Sequence, residues 1–551
     1  MNQVVIENRS DLSPLYPSPE PTIQPACPPT TEGEGDSQSN HLNKLFRALR
    51  KRAELVISLL ILIAAILVLF NGLMKDPSIY KRFGDVGDEG YWVASAKNLH
   101  FFGSYLSRAD NNTQAFVGAP LYSFLLYVLY TAFGSGLAIA RSLSAVCAIL
   151  IISFICASPL SLRARIIASL SLLLSVTFQS YSKWATPVLL QSLLEFLTIF
   201  TLCHANDRRS RRYAFIAGIL CVAVVGAKLS GYIFFPAALC LVLYLAWASK
   251  SLTGVKFFAS GLLVGVLALA AYYAYFRKDL LLFFAALGKL NSPLRQDFPY
   301  FKPSFGFLLA FPKDPITWCF FSFSLLSLVV FAVIALEKRI VKFDAPSIYF
   351  GIPIWLSVVF LELLLIADKA DRRVFLLLLP AVLFFSMLSD SRFYRSCNIF
   401  STNLFQRLVQ FVVVVAFASG LYTTVNSIRM QTSFYAMSTS QLAQIVNKQD
   451  CLDGVLAHWY AANTSVTPVW YGKEAGYARF NSNIDGLNFA KCRNYYVILG
   501  KFEGADLSDA YRSEAELRAY KKQEVMRLFI PPAQGRSVPR FEGLLYRVFP
   551  E

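Results

Sequence analysis

The sequence predicts an all-α polytopic membrane protein of about 11–13 transmembrane helices with a small C-terminal α/β domain. Three observations predict it. The mean hydropathy is +0.48, and 55% of residues are apolar against 16% charged, a composition outside that of soluble domains. Apolar runs of about 20 residues, the length a hydrocarbon core demands of a helix, recur between charged breaks. After Thr424 those runs give way to short stretches rich in β-branched and aromatic residues.

Residues 1–45, including "SPLYPSPEPTIQPACPPTTEGEGDSQSN", carry almost no apolar periodicity and are expected to form a disordered cytoplasmic tail. They lack the basic start, short apolar core and cleavage site of a secretory signal. "KLFRALRKR" (44–52) abuts the first apolar run, and the positive-inside bias then holds the N-terminus in the cytoplasm of a plasma (inner) membrane protein. A multi-span domain is expected over 46–425. Its apolar runs lie near 54–74, 119–137, 140–160, 166–182, 186–204, 213–228, 230–247, 256–276, 314–336, 347–366, 373–389 and 407–424. From Arg163 onward the basic clusters alternate between the two sides and put the C-terminal region outside. An inside N-terminus and an outside C-terminus require an odd number of crossings. One stretch between 118 and 160 is therefore expected to be split, re-entrant or non-spanning.

Residues 426–551 read as a soluble extracytoplasmic α/β domain. Strands are expected at 494–500, 524–531 and 543–549, and an amphipathic helix at 508–523. Two loops, 75–118 and 277–313, are longer than connectors need to be. The formal charge of +17 could suggest nucleic acid, but much of it sits in short loops such as "DRRSRR" (207–212), where it acts as a topology signal. Ten cysteines show no metal-ligand spacing, and no metal or cofactor is implied by a visible ligand set. Cys451 and Cys492 lie in a polar region and read either as a disulfide or as two free thiols.

The stretch "GDVGDEGYWVASAKNLHFFGSY" (84–105) follows the first span. Asp88 suits a helix N-cap and Glu89 the dipole of the same helix, each contributing up to about 1 kcal/mol. Tyr91, Trp92, Ala94, Ala96, Leu99, Phe101 and Phe102 would make that helix one-sided, and Gly103 suits its stop. A carboxylate at the bilayer rim has a second use. It can deprotonate an acceptor hydroxyl that attacks the anomeric carbon of a lipid-phosphate-linked sugar, help worth roughly 10²–10⁴-fold in rate. Such a site also needs cations for the leaving phosphate. Capping and catalysis do not exclude one another.

This stretch, followed by "GAPLYSFLLYVLYTAFGSGLAIARSLSAV" (118–146), resembles the start of the GT-C-type membrane glycosyltransferases, in particular the protein O-mannosyltransferase and lipid A aminoarabinose transferase branch. The counterparts run in order through Asp88, Glu89, Tyr91, Gly103, Pro120, Leu121, Tyr122, Phe133, Gly134, Ala140 and Arg141. "GAKLSGYIFFP" (226–236) resembles the family's Lys-Gly segment through Lys228, and "DRRVFLLLLPAVLFF" (371–385) its Arg-aromatic-Leu-Leu-Pro segment. The resemblance implies a transferase using a polyprenyl-phosphate-linked hexose or pentose, with Asp88 as catalytic carboxylate and Glu89 beside it. Lys228, Arg372 and Arg373 are then candidates for gripping the donor phosphate, or else interfacial anchors. Where the aminoarabinose branch carries Lys before its Pro, this chain has Ala119, and where it carries Asp-Pro, this chain has Thr186-Pro187. Those departures argue against carrying over lipid A as acceptor, which could be a lipid, a polysaccharide or a protein.

In the 277–313 loop, Lys289, Arg295 and Tyr300 would serve a lid or contact substrate, or else belong to an aromatic belt. Glu195 and Glu362 fall about ten residues into apolar runs, where a partner or a wet cleft is required. A transporter or flippase of a lipid-linked glycan is the alternative function. It fits less well, since the sequence shows no convincing internal repeat and a flippase has no need of the acidic loop.

Overall fold

The computed structural model describes residues 35–75, 89, 92–93, 95–100, 103–105, 117–281, 322, 346–365, 375–390, 403–430, 442, 444–446, 450–454, 467–468, 493–502, 518, 520–530 and 541–549. The chain falls into two compact units, Met1–Ile57 and Ser58–Glu551. Helix α1 (Gly35–Phe70) supplies the described part of the first unit and continues into the second. Residues 35–45, expected in the tail, are thus helical. Once a long helix exists, each added residue gains one hydrogen bond for one residue fixed, so it extends into its polar flank.

The second unit continues with α2 (Pro120–Phe133), α3 (Leu137–Ala157), α4 (Leu162–Leu174), α5 (Val176–Ser182), α6 (Val188–Asp207) and α7 (Arg211–Ala227). A 3-10 turn (Leu229–Phe234) leads into α8 (Phe235–Ser249), then α9 (Thr253–Tyr275), α10 (Ile348–Leu365), a 3-10 turn (Phe375–Leu377), α11 (Leu378–Met387) and α12 (Asn403–Met430). Among the described residues six helical stretches are long and apolar enough to cross a membrane, or seven if α4 and α5 form one span. The protein is an integral membrane protein. Leu60 and Leu67 on α1, Leu263 and Leu267 on α9, and Phe411 and Val414 on α12 are exposed, as lipid-facing residues should be. The expected run 314–336 lies outside the described residues except for Ser322.

The expected span 166–182 is not continuous: α4 and α5 meet at a bend of 71°. Ser175 causes the break, ending α4 and accepting the Phe178 N–H on its hydroxyl at 3.2 Å. Carbonyls freed inside a membrane domain need partners. Gln179 Nε2 donates to Leu173 O and Thr424 Oγ1 donates to Leu174 O at 2.9 Å, so α12 helps hold the bend.

The apolar run 119–137 is also not a span. The helix within it has fourteen residues, about 21 Å at 1.5 Å per residue, against a core of about 30 Å. It stops at Gly134, whose φ of 85° suits glycine. Both ends of α2 touch the 75–118 loop: the Tyr272 hydroxyl bonds both the Pro120 carbonyl and Tyr105, and the His100 ring lies 6.4 Å from that of Tyr130. Just beyond α2, Arg141 on α3 bonds the Leu73 and Lys75 carbonyls past the end of α1, each at 2.9 Å. The chain therefore enters and leaves α2 at the same end of the bundle.

The loops gather at two ends. Lys75, Glu89, Arg141, the 183–187 turn and Tyr272 meet at one. At the other, Asp207 accepts from the Ser347 N–H at 3.0 Å, and Asp390 accepts from the Ser161 N–H at 3.1 Å and from the Tyr349 hydroxyl.

The C-terminal residues form a five-stranded mixed sheet in the order β2-β1-β3-β5-β4. The strands are β1 (Cys451–Gly454), β2 (Thr467–Pro468), β3 (Tyr495–Phe502), β4 (Lys521–Ile530) and β5 (Phe541–Phe549). β1 runs parallel to β2 and β3, while β5 pairs antiparallel with β3 and β4. Two expectations need correction. Helix α12 runs to Met430, past the expected boundary at 426. Lys521–Gln523, expected to end a helix, pair with β5 instead, because the backbone ladder outweighs their helical preference. The question of a Cys451–Cys492 bridge lies outside the described side chains.

Helices α7 and α9 cross at glycines. A Cβ on Gly218 would stand 2.2 Å from the Phe258 carbonyl oxygen, and one on Gly261 would stand 2.0 Å from that of Phe215. Gly218→Leu or Gly261→Leu must force two backbones apart and should destabilise the protein by about 1–3 kcal/mol or more. Thermal unfolding in detergent should show a lowered transition for both, and little change for Gly254→Ala, where a Cβ meets nothing within 4 Å.

Candidate functional site

Residues 89, 92–93 and 95–100 form a short loop helix. Gly103 stops it as expected, with φ of 68° and its N–H on the Leu99 carbonyl at 3.0 Å. The helix is not one-sided. Trp92, Val93, Ala96 and Leu99 are buried, but so are Glu89, Ser95, Lys97 and Asn98 on its polar face. Neighbouring segments wrap it, and Asn98 Nδ2 bonds the Tyr105 carbonyl at 3.0 Å across the turn. Ser104 then donates to Asp279, just beyond α9, fixing the far end of the segment.

At the near end, Glu89 and Arg141 form an ion pair with both side chains fully buried. Arg141 Nε meets Glu89 Oε1 at 2.8 Å and Nη2 meets Oε2 at 2.7 Å, a two-pronged pairing that suits the planar guanidinium. The Ala185 N–H donates to Oε1 at 2.7 Å. Arg141 Nη1 spends its hydrogens on the Leu73 and Lys75 carbonyls. One cluster thus joins the end of α1, the loop helix, α3 and the turn before α6. Both oxygens of Glu89, the expected second carboxylate of the site, are thus held by these partners and shielded from water. The sequence comparison placed Arg141 in a motif without a role; its partner lies 52 positions away, beyond any local pattern.

Lys183 caps the end of α5, its N–H on the Ser180 carbonyl at 3.1 Å, and is 1% exposed, yet among the described residues its ammonium has no hydrogen-bond or ion-pair partner. Burial pushes its ammonium down to about 8, and the charge of neighbouring Lys75 presses the same way. Two residues later, Ala185 holds Glu89, so Lys183 belongs to the same neighbourhood. In the sequence Lys183 reads only as a loop charge.

Lys228 ends α7 in an extended conformation and is buried. Its Nζ lies 5.9 Å from the centre of the Trp92 ring, which places this expected phosphate contact against the loop helix. Glu195 is buried on α6, accepts from Gln191 Nε2 at 2.8 Å and feels the Lys228 charge. Glu362 is half-buried on α10 and far less enclosed. Asp88, Arg372, Arg373, Lys289, Arg295 and Tyr300 lie outside the described residues. Phe375, two positions after Arg373, packs on Tyr181 of α5 at a ring separation of 4.5 Å. Among the described residues no group of three or more His, Cys, Asp or Glu could hold a metal ion.

A bundle with a buried loop helix at one end and a small sheet after its last helix is the fold of the GT-C-type polytopic membrane proteins. No protein-family model and no curated protein matches the chain. Among solved structures, ArnT from Cupriavidus metallidurans in the apo state matches with a TM-score of 0.54 and 13% identity, over 89% of this chain and 98% of that one. The same protein bound to undecaprenyl phosphate matches with a TM-score of 0.51 and 15% identity, over 88% and 97%. The arabinosyltransferase EmbB from Mycobacterium smegmatis overlaps at a TM-score of 0.44 and 14% identity, over 67% of this chain and 41% of that one, too loosely to support a conclusion. At these identities the ArnT likeness establishes the fold.

Two measurements test the site's electrostatics. Arg141→Met strands the buried Glu89 carboxylate and should cost about 3–5 kcal/mol in thermal unfolding, while adding Glu89→Leu should recover much of the loss. Burial also pushes the Lys97 ammonium, ordinarily near 10.5, down to about 7. The unfolded chain then binds more protons than the folded one between these values, so stability rises with pH across that window. Below pH 7 the cost of burying the charge is fully present. Lys97→Met should therefore raise the melting temperature relative to wild type most at pH 6, with the difference shrinking toward pH 9.

Proposed function

We propose that this chain is a membrane glycosyltransferase that moves a hexose or pentose from a polyprenyl-phosphate donor to an acceptor hydroxyl at the outer face, with Asp88 as general base. The observation that carries this reading is the buried Glu89–Arg141 pair. The pair ties Glu89, the residue that follows Asp88 in the sequence, to the end of α1, to α3 and to the 183–187 turn. Catalysis by a positioned base requires a rigid support of this kind. The fold likeness supports the donor class, since the ArnT structure contains undecaprenyl phosphate.

In the proposed reaction Asp88 takes the proton of the acceptor hydroxyl as its oxygen bonds to the anomeric carbon. The bond from that carbon to the phosphate oxygen breaks, and the lipid phosphate departs. A single displacement of this kind inverts the anomeric centre. Lys228, Arg372 and Arg373 are the proposed contacts for the phosphate charge, and Lys289, Arg295 and Tyr300 the proposed cover or substrate contacts. Orientation follows from charge: "DRRSRR" and "SLRAR" belong to the end of the bundle away from Glu89, which by the positive-inside bias faces the cytoplasm. On this reading the C-terminal sheet lies outside.

The test is reconstitution in vesicles with a polyprenyl-phosphate sugar and an envelope acceptor fraction. Asp88→Asn should lower transfer by roughly 10²–10⁴-fold while donor binding persists. Equal transfer by the variant removes Asp88 from the mechanism. Movement of glycan across the bilayer without a new glycosidic bond would favour the flippase.

A further inference from the structure

We propose that Lys183, with Lys75 beside it, forms an anion subsite that takes the phosphate of the lipid-linked donor. This rests on the transferase reading for the identity of the anion. The site's construction argues for an anion independently. Arg141 and Glu89 cancel one another, and the guanidinium spends its other prong on backbone carbonyls, so neither is available to a third group. Among the described residues of the cluster, what remains is two cations, Lys75 exposed and Lys183 buried.

An ammonium removed from water without a counterion is costly, and proteins rarely retain one unless something completes it. Among the described residues nothing completes Lys183, and the charge that acts on it is another cation. A phosphate oxygen would reverse that balance. It would supply the missing acceptors to the buried ammonium and separate two like charges with an opposite one. The geometry favours this position for the donor. The Lys75 carbonyl is bonded to Arg141 and the Ala185 N–H to Glu89, so both lysines belong to segments clamped to the residue after Asp88.

The test uses the full chain in detergent and three probes: undecaprenyl phosphate, phosphatidylglycerol as an ordinary membrane phosphodiester, and inorganic phosphate. Undecaprenyl phosphate should bind and raise the melting temperature, and Lys183→Met should weaken that binding by about ten- to a hundredfold. Lys183→Arg should retain most of it, and Lys75→Met should show a smaller loss. Inorganic phosphate binding with the same Lys183 dependence supports the subsite and assigns it to free phosphate. Without any probe, Lys183→Met should melt no lower than wild type, because it removes an uncompensated buried charge. A lower melting point would mean that the ammonium is satisfied internally and would overturn the proposal, as would unchanged affinity of Lys183→Met for all three probes. The readout is binding. Lys183-dependent binding without sugar transfer would sink the transferase reading and leave the subsite standing; Asp88-dependent transfer with binding indifferent to Lys183 would do the reverse.

Discussion

One buried ion pair organises the end of the molecule where chemistry is proposed. Glu89 and Arg141 come from segments far apart in the chain, and both are removed from water. Taking two charges out of water is expensive, and the expense is offset only by good geometry and satisfaction of the remaining lone pairs and hydrogens. Here the forked contact, the Ala185 N–H and two backbone carbonyls meet that requirement. The pair contributes little net stability on such an account. It contributes specificity, because other pairings of the loop, α3 and the 183–187 turn would leave a bare charge in an apolar setting.

The same principle of satisfying every buried polar group explains two irregular pieces of backbone. The break at Ser175 survives in a membrane domain because Gln179 and Thr424 take the freed carbonyls. Helix α2 turns back because Gly134 permits a backbone conformation that residues with a Cβ avoid, and because Tyr272 and the loop helix receive its two ends. Both irregularities abut the cluster, since α5 leads to Lys183 and Ala185 and α2 leads to Arg141.

Much of the fold was legible in the sequence, and the reasons are physical. Hydrocarbon thickness sets the length of apolar runs, so the long helices could be read directly. Gly103 announced the end of the loop helix, and β-branched and aromatic stretches located β3, β4 and β5. What could not be read was whatever depends on contacts distant in sequence. Arg141 carried no local sign of its partner. Lys183 looked like any loop lysine, because burial is a property of the neighbours. Glu89 next to Asp88 carried no sign of the guanidinium that grips it. The length of α2 was the one avoidable error. "FGSG" (133–136), with two glycines in three residues, marks a stop that hydropathy alone overlooks.

The glycine crossing of α7 and α9 has a mechanical corollary. Two backbones this close leave no side-chain cushion over which the helices could slide or part, so they behave as one stiff wall. An isoprenoid tail of the proposed donor, arriving from the lipid sheet, could not pass between these two helices.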